Sequence, residues 1–288
     1  MFNILVTGAN GQLGSELKEI CDNYKYKFFF TCKKELDIAN ELDVSSFINN
    51  NDINVIINCA AYTAVDNAQD DEKNANIINH VAVKNIAKIC KEKDIKLVHI
   101  STDYVFDGKH YKPYIETDIT NPTSIYGKTK LKGEIALQKI NPKNSIIMRT
   151  SWLYSSFGNN FVKTMLNLGK NKEEIEVVFD QIGTPTYAAH LADAILQILP
   201  KIKNEQTEIY HYSNEGVLSW YDFAKEIMKM TKLTCRVNPT LSVNFPRPAP
   251  RPYFSVLDKS KIKNDFDLTI PYWKDGLHEC LIKMGEKK

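Results

Sequence analysis

Short apolar runs separated by stretches of helical spacing fill the first half of this chain, and few folds satisfy that alternation. The runs lie at residues 2–7, 27–32, 54–58, 96–101 and 145–150. Between them Leu13, Leu17 and Ile20 recur with a helical period, as do Leu42, Phe47 and Ile48, and then Ile77, Ile78, Val81, Ile86, Ala87 and Ile89. Strands that read as continuously apolar are buried on both faces, and strands alternating with helices build parallel βαβ units. The first half therefore reads as an α/β, doubly wound parallel sheet. Beyond Trp152 the periodicity weakens, and Pro246, Pro248, Pro250 and Pro252 mark an extended segment that is neither helix nor central strand. The expected organisation is a nucleotide-binding domain over 1–151 and a smaller, less regular, discontinuous substrate-binding lobe over 152–288. Segments near 175–195 and 207–213 are expected to return to the first domain.

The first turn carries the strongest chemical signal. Gly8, Gly11 and Gly14 form G-A-N-G-Q-L-G directly after the first strand and at the mouth of the first helix. Glycines there permit a tight turn and let backbone N–H groups approach a pyrophosphate at the positive end of a helix. This predicts a Rossmann-type dinucleotide site. The second strand ends in Lys33 and Lys34, where a basic side chain suits a 2′-phosphate. NADPH is the expected cofactor, with NADH as the alternative through Asp37 and the ribose hydroxyls.

Tyr126 and Lys130 lie four residues apart at the start of a predicted helix, hence on one face. An ammonium beside a phenol is expected to lower the tyrosine pKa and ready it for proton exchange, which suits carbonyl reduction. Ser101, Thr102 and Asp103 end the fourth strand, at the edge of a parallel sheet where ligands bind. The Thr102 hydroxyl is expected to polarise the same carbonyl oxygen.

Composition excludes several other classes. The 37 basic and 35 acidic residues leave a net charge of +2, without the concentrated positive face of a nucleic-acid binder. No apolar run is long enough to span a membrane, and the chain enters its first strand without a leader pattern. A cytoplasmic location is expected. The six cysteines are irregularly spaced, indicating neither a zinc site nor a disulfide framework.

The motifs together resemble those of the dTDP-4-dehydrorhamnose reductase family. They are G-A-N-G-Q-L-G, C-A-A-Y-T-A-V-D at 59–66, S-T-D-Y-V-F-D-G at 101–108, Y-G-K-T-K-L-K-G-E at 126–134, R-T-S-W-L-Y at 149–154, G-N-N-F-V-K-T-M-L at 158–166 and D-Q-I-G-T-P-T at 180–186. R-P-x-x-S-x-L at 251–257 closes the series. The resemblance implies an extended short-chain dehydrogenase fold, a dTDP-sugar substrate, and reduction of the 4-keto group of dTDP-6-deoxy-L-lyxo-4-hexulose. It implies Thr102, Tyr126 and Lys130 as the catalytic set. Gln12, Leu13, Asp37, Ile38, Ala60, Ala61 and Tyr62 would line the cofactor, with Gly8, Gly11, Gly14, Lys33 and Ser101. Asp66, Thr102, Asp103, Tyr104, Val105, Phe106, Trp152, Asn160 and Arg251 would meet the sugar nucleotide.

Some members of that family dimerise through a divalent cation held by glutamates. Glu16 matches one of these, but Y-A-A-H-L-A-D after G-T-P-T lacks the others, which argues against a Mg2+ bridge; monomer and homodimer both stay open. Two other readings compete. A sugar-nucleotide dehydratase or epimerase would use the same Tyr and Lys, but a dehydratase needs a second acid after Asp103, where Tyr104 stands. A non-catalytic regulatory subunit of methionine adenosyltransferase would not need the intact Thr102, Tyr126 and Lys130.

Overall fold

The computed structural model describes residues 1–287. In chain order its first half runs β1 (Asn3–Thr7), α1 (Gln12–Ile20), β2 (Lys27–Thr31), α2 (Glu41–Asn50), β3 (Val55–Asn58), α3 (Glu72–Asn76), α4 (Ala82–Lys93), β4 (Lys96–Thr102), α5 (Ile125–Ile140) and β5 (Ser145–Thr150). The second half continues β6 (Leu153–Tyr154), α6 (Phe161–Asn171), β7 (Glu174–Val178), β8 (Ile182–Gly183), β9 (Thr186–Tyr187), α7 (Ala188–Ile198), β10 (Glu208–Tyr212), β11 (Leu218–Ser219), α8 (Trp220–Thr231), β12 (Arg236–Thr240), α9 (Ser260–Phe266) and α10 (Trp273–Lys283). Six strands form one parallel sheet in the order β10-β5-β4-β3-β1-β2. The chain winds outward from β1 to β2 and then reverses to β3, so the strand order switches beside β1. Ligand crevices in open α/β sheets form at that switch, beyond the carboxyl ends of the strands.

Both faces of the sheet are dry, which is why its strands read as unbroken apolar runs. Ile4, Val6, Ile57, Val98 and Met148 pack in one cluster with Leu17 of α1 and with Leu191 and Ile195 of α7. Leu5, Ile56, Leu97 and Ile147 pack in a second with Val44 of α2, Ile86 of α4 and Leu137 of α5. Each such buried side chain contributes about 1.5–3 kcal/mol of transfer free energy.

The smaller lobe has its own core, with Phe223 and Ile227 of α8, Val162 of α6 and Leu277 of α10. Its strands pair two by two: β12 with β7, β11 with β8, and β9 with β6. The return segments divide. β10 closes one edge of the main sheet against β5, and α7 packs on its face, but β7 pairs with β12 outside the sheet. Residues 174–178 thus depart from the reading that returned 175–195 to the first domain, because Glu174 and Glu176 are exposed and a strand dry on both faces has no place for them. The six cysteines are unpaired. Among the described residues no helix is long and apolar enough to cross a membrane.

Candidate active site

The crevice at the switch point is a cavity of about 1020 Å³ that receives residues from both lobes. Its floor is the β1–α1 turn. Gly8 has φ +66°, and a Cβ there would stand 2.7 Å from the backbone nitrogen of Ala60; a Cβ on Gly14 would stand 2.5 Å from the Gly8 carbonyl oxygen. Both positions therefore exclude larger residues on steric grounds. Gly11 precedes α1, no side chain caps that end, and its first turn carries no acid. An uncapped helix start facing a cavity fits a pyrophosphate. Gln12 and Leu13 line the same floor, and Gln12 also spans the lobes, donating to the Leu153 carbonyl at 3.4 Å and accepting from Asn160 at 3.0 Å.

The other expected cofactor residues gather around that turn with one exception. Lys33, Asp37 and Ile38 line the rim beyond β2, with Lys33 and Lys34 exposed, and Ala60 and Ala61 line the wall after β3. Tyr62 is not part of the cavity lining; it packs against Ala68, Ala75 and the Tyr126 ring beside it. A residue that sequence reasoning missed holds this wall in place. Asn79, in a π-helical turn between α3 and α4, accepts from the Tyr62 N–H at 2.9 Å, donates to the Tyr62 carbonyl at 3.1 Å and reaches Thr129 of α5 at 3.2 Å. No periodicity signals a π turn, although such turns recur at functional sites.

Thr102 and Tyr126 meet at the centre of the crevice. Thr102 ends β4, and Ser124 caps α5 by accepting from the Gly127 N–H at 3.1 Å. Gly127 lies so close to the 103–105 turn that a Cβ there would stand 2.2 Å from the Tyr104 carbonyl oxygen. This packing places the Tyr126 ring edge-on to Tyr104, with centroids 5.5 Å apart, and its hydroxyl against Thr102. Lys130, one turn later, is 2% exposed and donates to the Ile100 carbonyl at 2.5 Å.

The electrostatics reverse one expectation. Burial pushes the Tyr126 phenol up to about 12; the adjacent Thr102 hydroxyl opposes the shift and the Asp103 charge adds to it. The anticipated lowering by Lys130 is not seen, because that ammonium is aimed at Ile100. Burial also pushes Lys130 down to about 8, against the opposing pull of Glu134 and Cys59. At neutral pH the phenol is therefore fully protonated, the form a proton donor requires.

The remaining candidates separate into those that reach the cavity and those that do not. Ser101 lines it, yet its hydroxyl donates to Glu134 at 2.5 Å. Asp103 and Tyr104 line it as well. Trp152 lines it with a left-handed φ of +47°, its indole stacked 3.6 Å from that of Trp220 and lying against Gly183. Arg251 and Asp66 hold one another at 2.8 Å, and Asp66 also accepts from the Ala249 N–H at 3.2 Å, which ties the proline-rich segment to the loop after β3. Asn160 is occupied as the cap of α6 and as a donor to Gln12. Val105 and Phe106 are core residues, packed with Tyr114 and Leu257; an apolar motif residue cannot be told from a ligand contact by type alone. Glu16, fully buried, accepts from Ser155 at 2.5 Å and pairs with Lys283 at 2.6 Å. Among the described residues no three His, Cys, Asp or Glu side chains converge as a metal site would need.

The family model for the RmlD substrate binding domain matches residues 2–285. The dTDP-4-dehydrorhamnose reductase of Aggregatibacter actinomycetemcomitans is 42% identical, over 96% of this chain and 97% of its own length. The crystal structure of a dTDP-4-dehydrorhamnose reductase from Clostridium acetobutylicum superimposes with a TM-score of 0.93 at 42% identity, over 99% of this chain and all of that one. A dTDP-4-dehydrorhamnose reductase from Bacillus anthracis, crystallised in complex with NADP, gives a TM-score of 0.93 at 39% identity, over 98% of this chain and all of that one.

Proposed function

The chain belongs to the dTDP-4-dehydrorhamnose reductase family of enzymes, with the extended short-chain dehydrogenase fold, and from that premise we propose how its own residues perform the reduction. The substrate proposed is dTDP-6-deoxy-L-lyxo-4-hexulose and the product dTDP-L-rhamnose. The observation that carries this reading is the meeting of Thr102, Tyr126 and Lys130 in one crevice with the glycine turn. A nicotinamide cofactor would be held along Gly8, Gly11, Gln12, Leu13 and Gly14 and would supply the hydride.

The protein's part is to bind, to orient and to deliver one proton. Thr102 donates a hydrogen bond to the 4-keto oxygen, and Tyr126 gives that oxygen its proton as the alkoxide develops. Lys130, one helical turn away and held by the Ile100 carbonyl, is the cation available to the cofactor's ribose rather than to the phenol. Trp152, held flat by Trp220, offers an apolar face to the sugar or base. Arg251, held in place by Asp66, is the cation of the proline-rich segment assigned to the diphosphate, with Arg247 nearby on the same segment. Reduction is favoured over dehydration because Tyr104 follows Asp103, so no second acid stands beside Thr102.

The test is loss of NADPH absorbance when the purified protein meets the dTDP-keto sugar made by the upstream enzymes. Absence of substrate-dependent oxidation would refute the assignment. Cofactor choice is tested separately. Lys33 and Lys34 line the rim of the crevice after β2, where a basic side chain suits a 2′-phosphate, and a charge-assisted hydrogen bond is worth about 1.5–3 kcal/mol. Lys33→Glu with Lys34→Glu is therefore expected to lower kcat/KM for NADPH by about 10–100-fold while leaving that for NADH within about threefold. Wild-type protein that prefers NADH by about tenfold or more would sink the lysine argument.

A further inference from the structure

Asp103 is a buried acid without a counter-charge. Glu16 and Glu134, also buried, each hold a cation, Lys283 and Arg149 respectively. Asp103 is 2% exposed, and its Oδ1 accepts from the Thr102 hydroxyl at 3.0 Å. Its Oδ2 is buried with no hydrogen-bond partner. The groups packed around it come from three elements: the phenol of Tyr126 on α5, Tyr104 on its own turn, and Ser255, whose hydroxyl lies beside the carboxyl without a well-formed hydrogen bond. None of these is a cation, and the Arg251–Asp66 pair acts on Tyr104 beyond them. A carboxylate so placed is costly, whereas a carboxylic acid is not.

The hydrogen inventory of Thr102 gives this a consequence. A threonine hydroxyl has one hydrogen, and here it points at Asp103, while the Tyr104 N–H donates to the same oxygen at 3.2 Å. As long as Asp103 accepts, Thr102 has no hydrogen for a carbonyl oxygen. Once Asp103 carries a proton, its own O–H donates to Thr102 Oγ1 and the threonine hydrogen turns to the cavity.

We propose that Asp103 is a positioning residue that works as the neutral acid, donating to Thr102 so that Thr102 donates to the 4-keto oxygen of the substrate. This rests on the reading of Thr102 given under Proposed function. Asp103 keeps its proton through turnover: hydride goes to the carbonyl carbon and the Tyr126 proton to the oxygen. Burial pushes the Asp103 carboxyl up to about 6, against the opposing hydrogen bonds of Ser255 and Thr102 and of the backbone N–H groups of Asp103 and Tyr104. The working form therefore prevails below that pH and is lost as pH rises through it.

The experiment is Asp103→Asn in the full-length protein, with kcat/KM for the keto sugar measured across pH at saturating NADPH. An asparagine amide donates to Thr102 at every pH and cannot ionise. Wild-type kcat/KM is expected to fall as pH rises past about 6, toward tenfold per unit. The variant should stay flat to about pH 7.5. Quenching of tryptophan fluorescence by NADPH reports folding. A wild-type profile without the limb near 6, a variant that keeps that limb, or a variant that binds NADPH yet loses about a hundredfold or more in kcat overturns the proposal. Thr102→Val, assayed in parallel, separates the two readings. Near-normal turnover there removes the role of Thr102 and this inference together, whereas failure of Asp103→Asn beside a crippled Thr102→Val removes the inference alone.

Discussion

Tyr126→Phe lowers kcat by about 10²–10⁴-fold, the contribution typical of a positioned general acid, while the dissociation constant for NADPH stays within about threefold. The change removes one oxygen and leaves the ring, its edge contact with Tyr104 and the close seat of Gly127 on the 103–105 turn. Because burial keeps the phenol protonated far above neutral pH, the donor is fully loaded before substrate arrives, and its removal is felt in the chemical step. Both kcat and kcat/KM should fall by similar factors, the signature of an interaction made in the transition state. Single-turnover measurements with the dTDP-keto sugar make the comparison. A variant that turns over within about tenfold of wild type refutes the role of Tyr126.

What the sequence disclosed about this site, and what it hid, divides along one physical line. Steric and topological requirements leave marks in residue types. Gly8 and Gly14 are glycines because backbone lies where a Cβ would be, and the middles of β1 and β3 are apolar on both faces because both faces of the sheet are dry. Requirements that depend on which way a side chain turns leave none. The Tyr126–Lys130 spacing places both on one face of α5, yet says nothing of the Ile100 carbonyl that takes the ammonium or of the burial that raises the phenol. Val105 and Phe106 share a motif with Thr102 and Asp103 but point into the core, since the turn after β4 has an inside as well as a mouth. In the smaller lobe several strands are two residues long, too short for any periodicity to reveal.

Beneath the site, one ion pair fixes the elements that carry it, and its removal has the largest expected effect on stability. Glu134, fully buried on α5, accepts from Arg149 of β5 at both carboxylate oxygens, from Nε at 3.0 and 3.2 Å and from Nη2 at 2.7 Å. It also accepts from Ser101 of β4. The pair thus ties together the strand that ends in Thr102, its neighbour and the helix bearing Tyr126 and Lys130. His211, 3.5 Å from the Arg149 guanidinium, adds no charge to the pair, because burial and the Arg149 charge push it down to about 3 and keep it neutral. Glu134→Leu alone leaves the guanidinium buried and unpaired, and Arg149→Met alone leaves the carboxylate so; each should cost about 3–5 kcal/mol. The double variant removes both charges and replaces them with apolar groups. It should therefore be markedly more stable than the sum of the singles, because the desolvation penalty of an isolated charge is gone. Urea unfolding of the four proteins closes the cycle, and strict additivity would show that the pair is not a coupled unit. Activity supplies the second reading. If the pair orients α5 against β4, the double variant regains stability without regaining kcat, since Ser101 has lost its acceptor and nothing replaces the clamp beside Thr102.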